Sequence, residues 1–237
     1  MFSNVHIVLV NTSHPGNIGS TARAMKTMGF KKLLLVNPKE FPSSQSDALA
    51  VGCVDVLKKA KVFSNLSDAV AGANINIGLS ARTRKASIPI LSVDECVNYV
   101  LLNKNLKCNI IFGNESSGLS NSDLLKCDYM VSIPTYKDYS SLNLSAAVQL
   151  ITYEFYKNTK THISSSKKPI THATAKEKNY FIDTLITLMK ETKFISVKNS
   201  KSLTKKIHIL FNKTNLETDE VNMLLGMLNS IHKKLNK

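Results

Sequence analysis

Short apolar runs of strand length recur through the first 134 residues of the chain, and helical patterns lie between them. In one of these patterns Ile18, Ala22 and Met25 share a face. Gly29 is placed to end that helix. Because strand and helix alternate, we predict an α/β fold with a mostly parallel sheet that helices cover on both faces. The predicted strands are residues 6–10, 32–37, 61–63, 74–79, 108–113 and 129–134.

Three serines stand where helices are expected to begin. Ser67, Ser92 and Ser120 each precede acidic residues. A serine hydroxyl can accept a hydrogen bond from a backbone N–H of the first helical turn, and acidic residues there favour the positive end of the helix dipole. We therefore predict all three serines as N-caps.

The character of the chain changes after residue 158. Residues 143–156 form a last amphipathic helical pattern, whereas residues 159–175 are polar, rich in Ser, Thr and Lys, and interrupted by Pro169. We predict a first domain of residues 1–158, a linker of residues 159–175, and a small all-α extension of residues 176–237. The helical patterns of the extension are residues 177–191, 202–212 and 219–235.

The charge of the chain is strongly positive and unevenly placed. Its 31 basic and 17 acidic residues give a formal net charge of +14 at pH 7. Residues 160–213 hold 12 of the basic and three of the acidic side chains, so the linker and the extension carry most of the excess. This charge indicates a polyanionic partner, either nucleic acid or an anionic membrane surface.

Only three of the basic residues are arginines, and all three lie in the first 84 residues. Where a lysine-rich chain still uses arginine, the planar guanidinium fork is expected to be needed, because lysine supplies charge but no bidentate geometry. The three are Arg23, Arg82 and Arg84.

Composition also disfavours membrane, secreted and metal-binding classes. No apolar run approaches the roughly 18 residues of a membrane span, and the short apolar run near the N-terminus follows no basic segment. We expect a cytoplasmic protein. The four cysteines are far apart and have no metal-ligand spacing, so we expect buried free thiols and no metal site. They are Cys53, Cys96, Cys108 and Cys127.

Four polar segments follow predicted strands and are the candidates for chemistry. In a parallel sheet the carboxyl ends of the strands share one edge, where ligands bind, so we expect these segments to form one cleft. They are NTSHPGNIGSTAR (11–23), GLSARTR (78–84), FGNESSGL (112–119) and IPTYKDYSSLNLSAA (133–147). The first resembles a phosphate-binding turn, but it lacks GxGxxG spacing and is a weak indication of a nucleotide site.

The residues NIGSTAR, FGNESSGL and IPTYKDYSSLNLSAAV resemble the three ordered motifs of the SpoU branch of the SPOUT methyltransferases. This family transfers methyl from S-adenosylmethionine to a ribose 2′-hydroxyl in RNA. The segments HIVLVNTSHPGNIGSTARAMKTMGF and SAR are similar to its bacterial members that methylate cytidine or uridine of tRNA at position 32, in the anticodon loop. The resemblance is strong over about the first 158 residues and looser over the extension.

The resemblance implies a fold, partners and roles for particular residues. It implies a C-terminal trefoil knot in the catalytic domain, a homodimer, and a basic tail that helps to bind tRNA. Arg23, Arg82 and Arg84 are expected to contact RNA. The expected polar catalytic set is Asn17, Arg23, Glu115, Ser141 and Asn143. The expected contacts of S-adenosylmethionine are Leu79, Ser80, Ala81, Gly113, Asn114, Ile133, Ser140, Ser141 and Leu142.

Elementary chemistry limits the role of Arg23. A guanidinium group stays protonated in proteins, so it is a poor general base. We expect Arg23 to orient the ribose and an adjacent phosphate and to stabilise negative charge as the hydroxyl oxygen develops it. Most of the rate would then come from aligning the hydroxyl oxygen, the methyl carbon and the sulfur.

Other interpretations remain open from the sequence. Asn17, Ser141 and Asn143 are also plausible helix caps, and Glu115 could simply favour a helix dipole. The chain could be an RNA-binding protein that keeps the scaffold without catalysis, or a dinucleotide enzyme, which the missing GxGxxG disfavours. Within the family, the target could be another tRNA position or ribosomal RNA.

Overall fold

A computed structural model describes residues 2–80, 88–159, 172–196 and 200–235. Within these residues a seven-stranded sheet has the order β3-β2-β1-β6-β4-β7-β5, and every neighbouring pair is parallel. The predicted parallel α/β sheet is thereby confirmed. The strands are β1 (Val5–Val10), β2 (Lys32–Val36), β3 (Lys61–Phe63), β4 (Ile75–Leu79), β5 (Ile90–Leu91), β6 (Cys108–Phe112) and β7 (Tyr129–Val131).

Ten helices lie in the described residues. Seven of them, α1 to α7, belong to the part of the chain that forms the sheet, and three, α8 to α10, follow it. They are α1 (Pro15–Thr27), α2 (Ser44–Ala50), α3 (Val54–Lys58), α4 (Leu66–Val70), α5 (Val93–Leu102), α6 (Asn121–Leu124), α7 (Leu144–Asn158), α8 (Ala175–Glu191), α9 (Ser200–Asn212) and α10 (Thr218–Leu235).

The strands are apolar throughout because both faces of the sheet are covered. Ile7 and Leu9 of β1 belong to a core shared with α1, α3, α5 and α7. Val8 and Val10 point to the opposite face and belong to a second core, to which α4 and α6 contribute. Side chains alternate between faces along a strand, so continuous apolar runs are what a doubly covered sheet requires.

Some local predictions are confirmed and one is wrong. Ser92 and Ser120 cap α5 and α6, each in a reciprocal capping box. Gly29 follows α1 with a φ of 81°, in the left-handed region. Ser67 is not a cap, because α4 begins two residues earlier and Asn65 accepts the hydrogen bond from the backbone N–H of Asp68 at 3.0 Å.

The sequence pattern also missed short elements. The edge strand β5 has two residues, too few to show any periodicity. The strand predicted at residues 129–134 ends at Val131, and the chain then leaves the sheet as a loop that reaches α7. The trefoil knot concerns how the chain threads through itself, which strand order does not test, and it stays a prediction.

The helices α8, α9 and α10 surround a small core of their own, formed by residues such as Phe181, Ile182 and Val221. The all-α extension is confirmed to this extent. No helix among the described residues is both long and apolar enough to cross a membrane.

The extension docks on the amino ends of β4 and β7. The buried ammonium group of Lys178 in α8 pairs with the buried carboxylate of Asp128, which precedes β7. The second carboxylate oxygen of Asp128 accepts a hydrogen bond from the backbone N–H of Asn76 at 2.8 Å. Backbone contact continues beside this pair, where the N–H of Ala175 donates to the carbonyl of Ala73 at 2.8 Å.

The buried pair yields a test of this docking. We expect Lys178→Met to lower the free energy of unfolding by about 3–5 kcal/mol, because it leaves the carboxylate of Asp128 buried without its cation. Urea denaturation at neutral pH measures this. The control is Lys26→Met, which removes the exposed ion pair with Asp55 and should change stability little. Equal, small effects of both substitutions would show that the Lys178 pair does not hold the extension in place.

Candidate active site

Glu115 gathers the polar groups at the carboxyl edge of the sheet. Its carboxylate accepts hydrogen bonds from the backbone N–H and the hydroxyl of Ser13, at 3.0 and 2.8 Å. It also accepts from the backbone N–H of His14 at 3.3 Å and from the side-chain amide of Asn17 at 2.9 Å. The loop after β6 is thereby fixed to the loop that begins α1, although the two lie about 100 residues apart.

The network continues from Asn17 into the third polar segment. The side-chain oxygen of Asn17 accepts from the side-chain N–H of Asn143 at 3.1 Å. The side-chain oxygen of Asn143 in turn accepts from the backbone N–H of Ser145 at 2.9 Å and caps α7. Each amide has a donor on one side and an acceptor on the other, so one orientation of both side chains satisfies the network. The segments 11–23, 112–119 and 133–147 therefore meet, as predicted for one cleft.

This network lowers the pKa of Glu115. Partial burial alone would raise the pKa, but hydrogen bonds donated by Asn17 and Ser13 to the carboxylate outweigh it and lower the pKa to about 2. A group this acidic stays ionised near neutral pH and is a weak proton acceptor there. The geometry therefore makes Glu115 an anchor for the surrounding loops.

The loop after β6 turns so tightly that one position excludes any side chain. A Cβ atom added to Gly113 would lie 2.1 Å from the carbonyl carbon of Gly118. Gly118 itself has a φ of 68°, which favours glycine. Asn114 closes the turn by accepting from the backbone N–H of Ser116 at 2.9 Å, and its amide donates to the carbonyl of Asn11 at 2.7 Å.

A cavity of about 200 Å³ lies between this loop, the end of β4 and the loop that precedes α7. Its walls combine apolar side chains with backbone and hydroxyl groups, as small-molecule sites commonly do. The structure brings together at this cavity all the predicted cofactor contacts that it describes; Ala81 lies outside the described residues. They are Leu79, Ser80, Gly113, Asn114, Ile133, Ser140, Ser141 and Leu142.

Arg23 is placed differently from the other predicted catalytic residues. It lies in α1 six residues after Asn17, which at 3.6 residues per turn puts the two about 120° apart around the helix axis. Its side chain is exposed, is not part of the cavity wall, and makes no hydrogen bond or ion pair that the structure records with another described residue. Arg82 and Arg84 lie outside the described residues.

Sequence reasoning missed several residues of the site. Ser13 and the backbone of His14 hold Glu115, and Ser116 and Ser117 line the cavity. A signal was present for Ser13, because it lies in a polar segment directly after β1. No single-sequence pattern could pair it with Glu115, since the partners come from distant parts of the chain.

All four cysteines are buried and free in the structure, as the sequence predicts. Burial raises the pKa of Cys96 to about 12, so this thiol stays protonated near neutral pH. The described residues include no group of three or more His, Cys, Asp or Glu side chains that could hold a metal ion.

Comparison with known proteins gives matches over both parts of the chain. Residues 4–153 match the SpoU rRNA Methylase family, and residues 177–237 match the C-terminal domain of tRNA methyltransferase TrmJ. Over 235 residues the chain is 40% identical to the tRNA (cytidine/uridine-2′-O-)-methyltransferase TrmJ of Sodalis glossinidius, an alignment that covers 98% of this chain and 92% of that one.

Solved structures are similar over nearly the full length. The crystal structure of TrmJ from Z. mobilis ZM4 has a TM-score of 0.85 at 25% identity and covers 96% of this chain and 98% of that one. A probable methylase family protein from Haemophilus influenzae has a TM-score of 0.66 at 38% identity and covers 100% of this chain and 99% of that one.

The low pKa of Glu115 predicts how stability depends on pH. The unfolded glutamate has a pKa of about 4.3, so the stabilisation by the charged group is complete above that value and is lost as the pH falls toward about 2. We expect Glu115→Gln to be less stable than the wild type at pH 7, and the difference to shrink as the pH falls below about 4.5. Urea denaturation across this range measures both proteins. Glu40→Gln, at an exposed carboxylate, is the control. If the stability difference between the wild type and Glu115→Gln did not change with pH, the low pKa of Glu115 would be contradicted.

Proposed function

The chain belongs to the SpoU rRNA methylase family, and from this we propose that it transfers methyl from S-adenosylmethionine to a ribose 2′-hydroxyl of tRNA. One observation carries the proposal: three separated segments converge through Glu115, Asn17 and Asn143 beside a cavity at the carboxyl edge of the sheet. The names of relatives such as the Sodalis protein, and the match of residues 177–237, support tRNA over ribosomal RNA.

The cavity has the chemistry that S-adenosylmethionine requires. Leu79, Ile133 and Leu142 offer apolar contact to a planar base, and the backbone around Gly113 approaches closely because no side chain intervenes. When bound, the cofactor supplies a methyl group on a positively charged sulfur, which is reactive without further activation. The chain then has to bind it, exclude water and bring the ribose oxygen into line with the methyl carbon.

The polar residues divide this work. Glu115 lies in the loop after β6 and Asn143 in the loop before α7, and both loops border the cavity. Asn17 bonds to both side chains and so joins the two loops. Ser141 lies on the cavity wall, within reach of a bound ligand. Arg23 is exposed and carries a permanent positive charge, which suits bidentate contact with the RNA beside the target ribose and stabilisation of charge on the hydroxyl oxygen.

The remaining parts of the proposal rest mainly on the resemblance. They are methylation of cytidine or uridine at position 32 of the anticodon loop, a homodimer, action in the cytoplasm, and RNA contacts by Arg82 and Arg84. The proposed division is a catalytic domain of residues 1–158, a linker of residues 159–175, and an RNA-binding extension of residues 176–237. The positive charge concentrated in residues 160–213 supports the last of these.

The decisive experiment is transfer of labelled methyl from S-adenosylmethionine to unmodified tRNA transcripts. The modified nucleotide is mapped by its resistance to alkaline cleavage, which requires a free 2′-hydroxyl. Resistance at position 32 supports both the reaction and the target nucleotide. Label at another tRNA position, or in ribosomal RNA only, overturns the choice of target and keeps the reaction. Binding of the cofactor without any transfer favours an RNA-binding protein that lacks catalysis.

Arg23→Lys tests the role of the guanidinium group. This substitution keeps the charge and removes the bidentate fork, so we expect methyl transfer to fall at least tenfold while the Kd for S-adenosylmethionine stays nearly unchanged. Single-turnover transfer and calorimetric cofactor binding measure the two effects. Lys31→Arg, at an exposed position between α1 and β2, is the control. Unchanged transfer by the Arg23 variant would remove this residue from the mechanism.

Exposed lysines of α9 test the role of the extension. Each lysine that contacts a phosphate makes the slope of log affinity against log salt concentration steeper, by about 0.7–0.9 for nucleic acids in general. Joint substitution of Lys201, Lys205 and Lys206 by glutamine should therefore weaken tRNA binding and flatten this slope. The matched control replaces three exposed lysines near β3 by glutamine, namely Lys58, Lys59 and Lys61. Equal slopes for the α9 variant and the control would reduce the extension to a structural role.

A further inference from the structure

Two tyrosines on the loop before α7 are unusually exposed. The exposed fractions are 69% for Tyr136 and 77% for Tyr139, the highest values among the large hydrophobic side chains that the structure describes. Neither ring packs against another aromatic ring of the described chain. Because so little of their apolar surface is buried, the two rings contribute little to the stability of the fold. Exposed apolar groups that lie together often mark a site of interaction.

A turn holds the two tyrosines close together. The backbone N–H of Tyr139 donates to the carbonyl of Tyr136 at 3.1 Å, and Lys137 and Asp138 form the tip of the turn. A turn of this kind places its first and last Cα atoms within about 7 Å of each other. The two side chains therefore leave the backbone from neighbouring positions on either side of the tip of the turn.

The turn also lies at the rim of the cavity. Ser140, Ser141 and Leu142 follow Tyr139 directly and line the cavity wall, as does Ile133, three residues before Tyr136. The turn that carries the two tyrosines is therefore continuous with the cavity wall, although neither tyrosine is part of that wall.

The charge of the turn is balanced. Lys137 and Asp138 cancel, so the turn offers no net attraction for phosphates. What it presents to a partner is the pair of aromatic faces. Aromatic side chains of this kind are the usual platform for unpaired bases in single-stranded RNA, where bases are splayed out and stack on tyrosine, phenylalanine or tryptophan.

We infer that Tyr136 and Tyr139 form a stacking site for an unpaired base of the RNA substrate, next to the nucleotide whose ribose is methylated. This inference rests on the proposed function, because it takes the cavity as the site of methyl transfer to RNA. Stacking on the two rings replaces the base–base contacts that are lost when the loop nucleotides separate. The stacked base then holds the neighbouring target ribose at the rim of the cavity. Stacking accepts any base, so the two rings supply affinity and position without reading sequence.

The test compares leucine with phenylalanine at each position in the full-length protein. Phenylalanine keeps the aromatic face, whereas leucine keeps an apolar side chain and removes the plane. The ligand is an anticodon stem-loop RNA in which 2-aminopurine replaces one loop base at a time. The fluorescence of 2-aminopurine reports whether that base is stacked. We expect Tyr136→Leu and Tyr139→Leu each to raise the RNA Kd roughly tenfold and to abolish the fluorescence change at one loop position. The phenylalanine variants should stay within about twofold of the wild type and keep that change.

Two further readouts separate stacking from other roles. The slope of log affinity against log salt concentration should be the same in the leucine variants as in the wild type, because tyrosine carries no charge. The Kd for S-adenosylmethionine and the molar mass by light scattering should also be unchanged. A weaker cofactor affinity would make the turn part of the cofactor site, and a changed mass would make the rings a contact between subunits; either result overturns the inference.

The remaining outcomes are equally clear. Equal losses in the leucine and phenylalanine variants would assign the effect to the hydroxyl groups and overturn stacking. If the wild type methylates tRNA and the leucine variants bind the stem-loop as tightly, the inference fails and the proposed function stands. If the wild type neither binds nor methylates tRNA, the proposed function fails and the inference fails with it.

Discussion

The site depends on one ionised carboxylate. Glu115 accepts hydrogen bonds from a hydroxyl, an amide side chain and two backbone N–H groups that belong to the entry into α1. Without this acceptor those donors would have to bond to water, and the hydrogen bonds that join the two loops would be lost. Glu115 accepts from Asn17, Asn17 accepts from Asn143, and Asn143 caps α7, so one chain of hydrogen bonds joins the carboxylate to the start of α7. The carboxylate therefore organises the cavity edge while remaining too acidic to take a proton from a substrate near neutral pH.

The sheet could be predicted from the sequence because each strand carries its own signal. Ile7, Val8, Leu9 and Val10 are apolar without alternation, and that run alone indicates a strand buried on both faces. Likewise the serine and the glutamate of the α5 capping box stand three residues apart. The edge strand β5 had no such signal, and Asn65 displaced Ser67 as a cap because α4 starts earlier than the acidic residues suggest.

The candidate site was predictable only in part, because its contacts join distant segments. The resemblance indicated Glu115, Asn17 and Asn143 together, but not the order in which they are bonded. Ser13 entered the site through a partner 102 positions away. Arg23 shows the opposite limit, since the motif predicts a function for it although the folded chain leaves it exposed and apart from the network. The predicted function would involve a ligand or a second subunit, and the packing of one chain contains no information about either.

The buried polar pair on the other side of the sheet explains how a small basic extension can be attached without disturbing this site. Lys178 and Asp128 meet at the amino ends of β4 and β7, whereas the cavity lies at their carboxyl ends. The five residues of β4 separate the two by roughly 15 Å at the usual rise per residue. The contacts that hold the extension and the walls of the cavity therefore lie at opposite edges of the sheet, and attachment of the extension takes no side chain away from the cavity.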